Sequence, residues 1–186
     1  MAHTPVLIAD VVVEALRNVD PGKIELSKVR YDGRPPAERP MYQERTFAYE
    51  FYHQLRMLQE NTRSEELQGV TQQAEVSKRY QGVPFMPDLL LHVPGETMNL
   101  AAFEFKLAEN QNLRRDLFKL QHLKSDYGYN EVFMIILGSE EAAESWLARA
   151  KEFQSSEGED IQFIVYDPNG EDRVSRRESF RIKVPE

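Results

Sequence analysis

The feature that most constrains the fold of this chain is the uninterrupted apolar run Val132 to Gly138, VFMIILG. A run rich in large aliphatic and β-branched side chains is typical of a strand that is buried on both faces, rather than one that alternates between core and solvent. Such a strand needs other elements to cover each of its faces. The run therefore predicts a central strand in a sheet that has layers on both sides.

Helices are predicted on both sides of this strand along the chain. They are expected over residues 6–18, 44–60, 113–127 and the segment that follows the capping residue Ser139. Residues 44–60 are typical of an amphipathic helix, because their phenylalanine and leucine residues recur at helical spacing. The β-branched residues within 6–18 leave a strand open there, and the Asp20-Pro21-Gly22 turn signal ends that segment.

Strands are predicted where apolar and β-branched residues cluster between turn signals. They are expected over residues 23–31, 85–93, 98–107, 132–138, 161–166 and 180–184. The pair 85–93 and 98–107 forms a predicted hairpin around Pro94-Gly95-Glu96-Thr97. Residues 74–80 are compatible with a short strand or a turn, and the proline-rich residues 32–40 are expected to be a loop.

This order of elements predicts an α/β fold with a mixed central sheet flanked by helices. A length of 186 residues fits a single domain that buries its own core. The core is expected over about 44–166, with an N-terminal helix and proline-rich loop in 1–43 and a C-terminal extension in 167–186.

Composition removes several classes of chemistry. The chain has no cysteine, which excludes disulfides, thiolate catalysis and sulfur-ligated metals. Its net charge of −8 argues against a protein that coats nucleic acid through an overall basic surface, although it leaves room for a local site. No secretory signal and no long apolar span are visible, so we expect a cytoplasmic protein that does not cross a membrane.

Two acidic residues are expected to converge on the predicted hairpin. Side chains alternate across a strand, so Glu104 and Lys106 project from the same face of the second strand. If the turn is centred on Glu96, Asp88 on the first strand lies directly opposite Glu104, within contact distance across the pair. Two carboxylates this close repel each other unless a positive charge lies between them.

A magnesium ion is the simplest source of that charge, because oxygen ligands on adjacent strands suit Mg²⁺, for which Mn²⁺ can substitute. Lys106 lies one pleat from Glu104, where its ammonium could orient a water or neutralise a phosphate. Glu44 points inward with the core stripe of its helix, which makes it a candidate third acid. The alternative for Glu44 is a half-exposed residue that is favoured by the helix dipole.

Pro87-Asp88 followed by Glu104-Phe105-Lys106, with a glutamate on an upstream helix and a helix downstream, resembles the PD-(D/E)xK nuclease superfamily. The similarity covers roughly residues 44–138 and implies a restriction-endonuclease-like fold. An acid-x-lysine triplet alone is a weak signal. The alternative is an ordinary surface ion pair between neighbouring residues of a strand.

The resemblance implies a role for each matching position. Asp88, Glu104 and the backbone carbonyl of Phe105 would bind Mg²⁺, Lys106 would serve the attacking water, and Glu44 would be the helical acid. On the downstream helix, the resemblance implies a glutamine and a basic residue facing the site. Their candidates are Gln121 and either Arg114 or Lys119.

The helix after the hairpin is basic in an otherwise acidic chain. Arg115, Lys119 and His122 share one of its faces by spacing, and this stripe is a candidate contact for a phosphate backbone, together with Arg114. A solvated helix exterior explains the same spacing.

These observations predict a metal-dependent nuclease, for which the resemblance favours DNA over RNA. A non-catalytic binding or assembly module on the same fold is the main alternative, because a fold does not determine activity. A hydrolase of small phosphorylated molecules is a third reading. The sequence does not decide between a monomer and a homodimer that spans two strands.

Overall fold

A mixed six-stranded sheet lies at the centre of the fold, and helices cover both of its faces. The computed structural model describes residues 8–25, 42–61, 67, 69–74, 78–80, 83–95, 99–109 and 112–185. Within these residues, the architecture is the α/β arrangement with a mixed sheet that the sequence predicts.

The elements follow one another along the chain in an order close to the predicted one. The helices are α1 (Ile8–Asn18), α2 (Pro21–Ile24), α3 (Glu44–Asn61), α4 (Leu113–Ser125) and α5 (Glu140–Lys151). The strands are β1 (Thr71–Ala74), β2 (Lys78–Tyr80), β3 (Val83–Phe85), β4 (Leu89–His92), β5 (Asn99–Leu107), β6 (Tyr129–Leu137), β7 (Gln154–Tyr166) and β8 (Val174–Ile182). Ser139 caps α5 as expected, because its hydroxyl accepts a hydrogen bond from the backbone N–H of Ala142.

The strand order of the large sheet is β1-β4-β5-β6-β7-β8. The neighbours β5, β6 and β7 run parallel, whereas the other adjacent pairs run antiparallel. β2 and β3 pair with each other in a separate small sheet. β6 occupies an interior position, and its residues from Val132 to Ile136 are fully buried, so the prediction of a central buried strand is confirmed.

Two hydrophobic cores lie on opposite faces of the sheet, and β6 supplies both of them. Phe133 and Ile135 pack toward α1 and α3, whereas Met134 and Ile136 pack toward α4 and α5. This alternation follows from the pleat, which directs successive side chains to opposite faces. The apolar run is therefore needed because neither face of β6 meets solvent.

The two strands of the predicted hairpin pair as expected, with the register that a centre at Glu96 implies as far as Leu91 and a shift between Leu91 and His92. Residues 96–98, which include part of the predicted turn, lie outside the described residues. β4 and β5 pair antiparallel, with Leu89 opposite Phe103 and Leu90 opposite Ala102. Extended by one residue, this register brings Asp88 to the level of Glu104. The first strand is shorter than predicted, because pairing begins only at Leu89. Phe85, expected in the same strand, belongs to β3 instead.

Other boundaries also differ from the sequence prediction. β6 begins at Tyr129 and β7 at Gln154, earlier than the expected starts at 132 and 161. The strand predicted from Lys23 onward is wrong in its first residues, because Lys23 and Ile24 belong to the short helix α2. Asp20 caps this helix by accepting a hydrogen bond from the Gly22 N–H. The rest of that strand and the predicted loop 32–40 lie outside the described residues. The expected edge strand at 180–184 is confirmed at the edge of the sheet, but β8 begins at Val174.

None of the helices described for this chain combines the length and the apolar character that crossing a membrane requires.

We predict that Phe103→Ala will lower the free energy of unfolding by about 3–5 kcal/mol, the usual cost of removing a buried phenylalanine. Phe103 is fully buried, and its ring centroid lies 5.0 Å from that of Phe133 and 5.7 Å from that of Phe51. Urea denaturation measures the change. Met57→Ala, at a residue that is 40% exposed, is the control and should change stability by less than about 0.5 kcal/mol. Equal losses in the two variants would contradict this account of the core.

Candidate functional site

Six charged side chains meet at the carboxyl end of β5, where the late start of β4 leaves room beside the sheet. We call them the acid–lysine cluster: Glu44, Asp88, Glu104, Lys106, Asp116 and Lys119. In a sheet flanked by helices, the space beyond the carboxyl ends of the strands is a common place for a functional site.

Glu104 is the most deeply buried member, with no exposed surface in the described structure. Its Oε1 lies 2.6 Å from Lys119 Nζ. Its Oε2 is buried and has no hydrogen-bond partner among the described residues. Burial, together with the negative charge of Asp88, raises the pKa of Glu104 to about 8, although Lys119 acts in the opposite direction.

Asp88 lies directly before β4 and reaches across to β5. Its Oδ2 accepts a hydrogen bond of 2.8 Å from the backbone N–H of Phe105. Burial raises the pKa of Asp88, and that hydrogen bond together with Lys106 and Lys119 opposes part of the rise. Asp88 and Glu104 are therefore near each other, as the hairpin register predicts, because the negative charge of Asp88 contributes to the raised pKa of Glu104.

Lys106 is held between two acids that come from different helices. Its Nζ lies 3.4 Å from Asp116 Oδ2 on α4 and 3.7 Å from Glu44 Oε2 on α3. The side chain is only 13% exposed. Burial alone would lower the pKa of Lys106, but Asp116 and Glu44 outweigh it and the net direction is upward. Lys106 therefore carries a stable positive charge and is suited to stabilising negative charge rather than to accepting a proton.

Glu44 reaches the cluster from the first turn of α3. Its Oε1 accepts a hydrogen bond of 3.0 Å from the backbone N–H of Leu107, at the end of β5. Its side chain is 30% exposed, so the two interpretations of Glu44, an inward acid and a half-exposed residue of the first helical turn, are each correct in part. It lies in the first helical turn and is half-exposed, and it also points toward the site.

Asp116 is a member of the cluster that the sequence analysis did not select. It is 4% exposed, and its carboxylate joins the two lysines, with Oδ1 at 3.5 Å from Lys119 Nζ. A signal for it exists in the sequence, because it lies three residues after Leu113 and four before Leu120 on the apolar stripe of α4. An acid on such a stripe is costly unless it has a charged partner.

Lys119 turns into the cluster and away from the exposed stripe to which its spacing assigns it. Its side chain is 12% exposed, and its Nζ also donates to the backbone oxygen of Met86 at 3.4 Å. Arg115 is exposed on α4. The structure thus separates two residues that the helical spacing had grouped as one phosphate contact.

Gln121 and Arg114 lie at a different place from the cluster. Gln121 Oε1 accepts a hydrogen bond of 2.7 Å from the backbone N–H of Val184, and Arg114 Nη2 donates to the backbone oxygen of Pro185 at 2.8 Å. These contacts attach α4 to the segment that follows β8. The structure therefore gives both side chains a structural partner outside the candidate site.

The cluster has four carboxylates and two ammonium groups, which leaves two negative charges in excess when all are ionised. A divalent cation would balance them. Among the described residues, no three histidine or acidic side chains are arranged to hold a metal ion together. The candidate donors from the sequence analysis are the carboxylates of Asp88 and Glu104 and the carbonyl of Phe105. This hard oxygen set suits Mg²⁺, which keeps several of its own waters.

We predict that metal-free protein will lose stability as the pH rises from about 4.5 to about 8. In this window the folded protein keeps the proton of Glu104 while the unfolded chain releases it, so the free energy of unfolding falls by up to about 1.4 kcal/mol per pH unit. Asp88 contributes in the same direction. Urea denaturation in EDTA at several pH values measures the slope.

The variant Glu104→Gln should flatten this slope, because the amide does not titrate. Glu109→Gln, at an exposed acid just beyond β5, is the matched control and should keep it. A slope that Glu104→Gln leaves unchanged would show that another group controls the pH dependence.

The chain was compared with known proteins at three levels. No family model, no curated protein and no solved structure matches it. The function of the cluster is therefore inferred from its own side chains.

Proposed function

We propose that this protein is a divalent-metal-dependent nuclease that hydrolyses phosphodiester bonds of nucleic acid, with DNA as the favoured substrate. The observation that carries the proposal is the convergence of Asp88 and the buried Glu104, with Lys106 one pleat further along β5. The preference for DNA follows only from the resemblance to the PD-(D/E)xK nucleases.

The arrangement around the hairpin supports membership of that superfamily as part of the proposal. Pro87-Asp88 leads into β4, Glu104-Phe105-Lys106 lies on the neighbouring β5, and α4 follows before the parallel strand β6. Glu44 joins the site from the upstream helix α3. The same residues carry the order and spacing of the motif in the sequence and the contacts of the cluster in the structure.

Asp88, Glu104 and the carbonyl of Phe105 are the residues that would hold Mg²⁺. When bound, the ion supplies a Lewis acid for the phosphate and lowers the pKa of a water. The raised pKa of Glu104 means that its carboxyl group must lose a proton to bind a cation, so binding is coupled to proton release.

Lys106 is the residue best placed to act on the reacting group. Glu44 and Asp116 hold its ammonium from two directions, which limits its motion and keeps it charged. A fixed positive charge beside the metal ligands can orient the attacking water and stabilise negative charge that develops on the phosphate. Glu44 and Asp116 are positioning residues in this scheme, because they act through Lys106.

One observation favours the alternative of a non-catalytic module. Lys119 Nζ lies 2.6 Å from Glu104 Oε1, so an internal ammonium already neutralises part of the charge that a metal would neutralise. A buried ion network of this kind can be retained for structural reasons alone. Metal binding separates the two readings, because the nuclease requires it and the structural network does not.

Isothermal titration calorimetry with Mn²⁺ is expected to show one binding site per chain in the wild-type protein. Asp88→Asn should weaken binding at least about tenfold, since it removes a charged oxygen ligand and its contribution to the excess negative charge. Glu109→Gln is the matched control and should bind as the wild type does. Absence of Mn²⁺ binding by the wild type would favour the structural network over the nuclease.

Cleavage of plasmid and oligonucleotide DNA by the wild-type protein should require Mg²⁺ or Mn²⁺. In Lys106→Met the kcat for cleavage should be at least about 100-fold lower, the range expected on loss of a stabilising charge. Metal binding by this variant should persist, because Lys106 is not a ligand. Lys124→Met, on α4, is the control and should keep its activity, since Lys124 contacts the backbone oxygen of Asn130 rather than the cluster. Equal activity of the two variants would remove Lys106 from the mechanism.

A further inference from the structure

A pocket of about 270 Å³ opens beside the acid–lysine cluster, between α3 and the residues that precede β4. We call it the α3 pocket. Its helical wall is formed by Arg45, Ala48, Tyr49 and Tyr52, which share one face of α3 because they are three or four residues apart. Glu44 and Asp88 belong both to its lining and to the cluster, so the pocket and the candidate site are continuous.

The pocket gathers most of the large hydrophobic surface exposed in the described residues. Three large hydrophobic side chains are exposed there, and two of them line this pocket: Tyr49 at 52% and Met86 at 53%. Exposed aromatic and apolar side chains that gather in one concave place are typical of a binding site rather than of scattered surface residues. The third, Met57, lies further along α3 and outside the lining.

The chemistry of the lining fits a flat, partly polar ligand. Tyr49 and Tyr52 offer aromatic rings, and Met86 and Leu89 offer apolar contacts on the opposite wall. Unpaired bases are commonly held between aromatic and apolar side chains, with their polar edges on hydrogen-bonding groups. Arg45 supplies a guanidinium for a nearby phosphate.

We propose that the α3 pocket binds the base of one unpaired nucleotide of the substrate strand, next to the phosphate that the cluster acts on. This inference rests on the proposed nuclease function and specifies its substrate as single-stranded nucleic acid or a frayed strand end. A volume of about 270 Å³ lies at the small end for ligand pockets, which suits one base and not a base pair. Stacking on tyrosine is tolerant of sequence, so no base preference is expected.

The test uses single-stranded oligonucleotides with 2-aminopurine at one end, in Ca²⁺ so that binding is measured without turnover. Wild-type protein should bind the single strand more tightly than the blunt duplex and should quench 2-aminopurine fluorescence. Tyr49→Ala should weaken single-strand binding about tenfold, the scale of one lost base–aromatic stack, whereas Tyr49→Phe should stay within about twofold because it keeps the ring. Met57→Ala, at the exposed residue outside the pocket, is the matched control and should bind normally.

Three outcomes would overturn the proposal: normal binding by Tyr49→Ala, equal affinity for the blunt duplex, or no binding of the single strand. Circular dichroism and thermal melts establish that each variant folds, which is expected because Tyr49 is half-exposed. The Mg²⁺-dependent cleavage assay on wild-type protein tests the proposed nuclease function separately. Stacking without cleavage would leave the pocket as the site of a nucleic-acid-binding module.

Discussion

The structure around the candidate site depends on how the carboxyl group of Glu104 is buried beneath α4. An ionised acid with no exposed surface is costly, and here a neighbouring aspartate adds to the cost. Lys119 approaches to 2.6 Å, and a pKa of about 8 lets the group hold a proton near neutral pH. α4 thus brings a lysine to the place where its leucines cover the sheet, and this lysine reduces the cost of burying Glu104.

The cluster also connects the two helical layers that the sheet otherwise separates. The late start of β4 leaves the end of β5 uncovered, and there Glu44 from the α3 layer and Asp116 from the α4 layer meet at Lys106. A single lysine thus joins both layers at the edge of a strand. The geometry that would fix its ammonium for the proposed catalysis would also serve a purely structural network, which is why metal binding is the decisive measurement.

The distribution of charge bears on how an acidic chain would act on a polyanion in the proposed function. The cluster itself carries excess negative charge, so a bound cation would favour the approach of a phosphate. In the proposed function, the α3 pocket would offer the substrate a second kind of contact, through rings and apolar groups, which does not depend on a basic surface. A net charge of −8 and binding of single strands are compatible on this basis.

The sequence by itself determined the central strand β6, the pairing of β4 with β5 and the approach of Asp88 to Glu104. These features were predictable because strand alternation and turn position depend on residues that are near one another in the chain. The place of Glu44 on its helix was also predictable from spacing. Tertiary structure alone decided that Lys119 turns inward, that Asp116 joins it, and that Gln121 contacts the Val184 backbone. Helical spacing defines which residues share a face, but packing against distant strands decides which face meets the core.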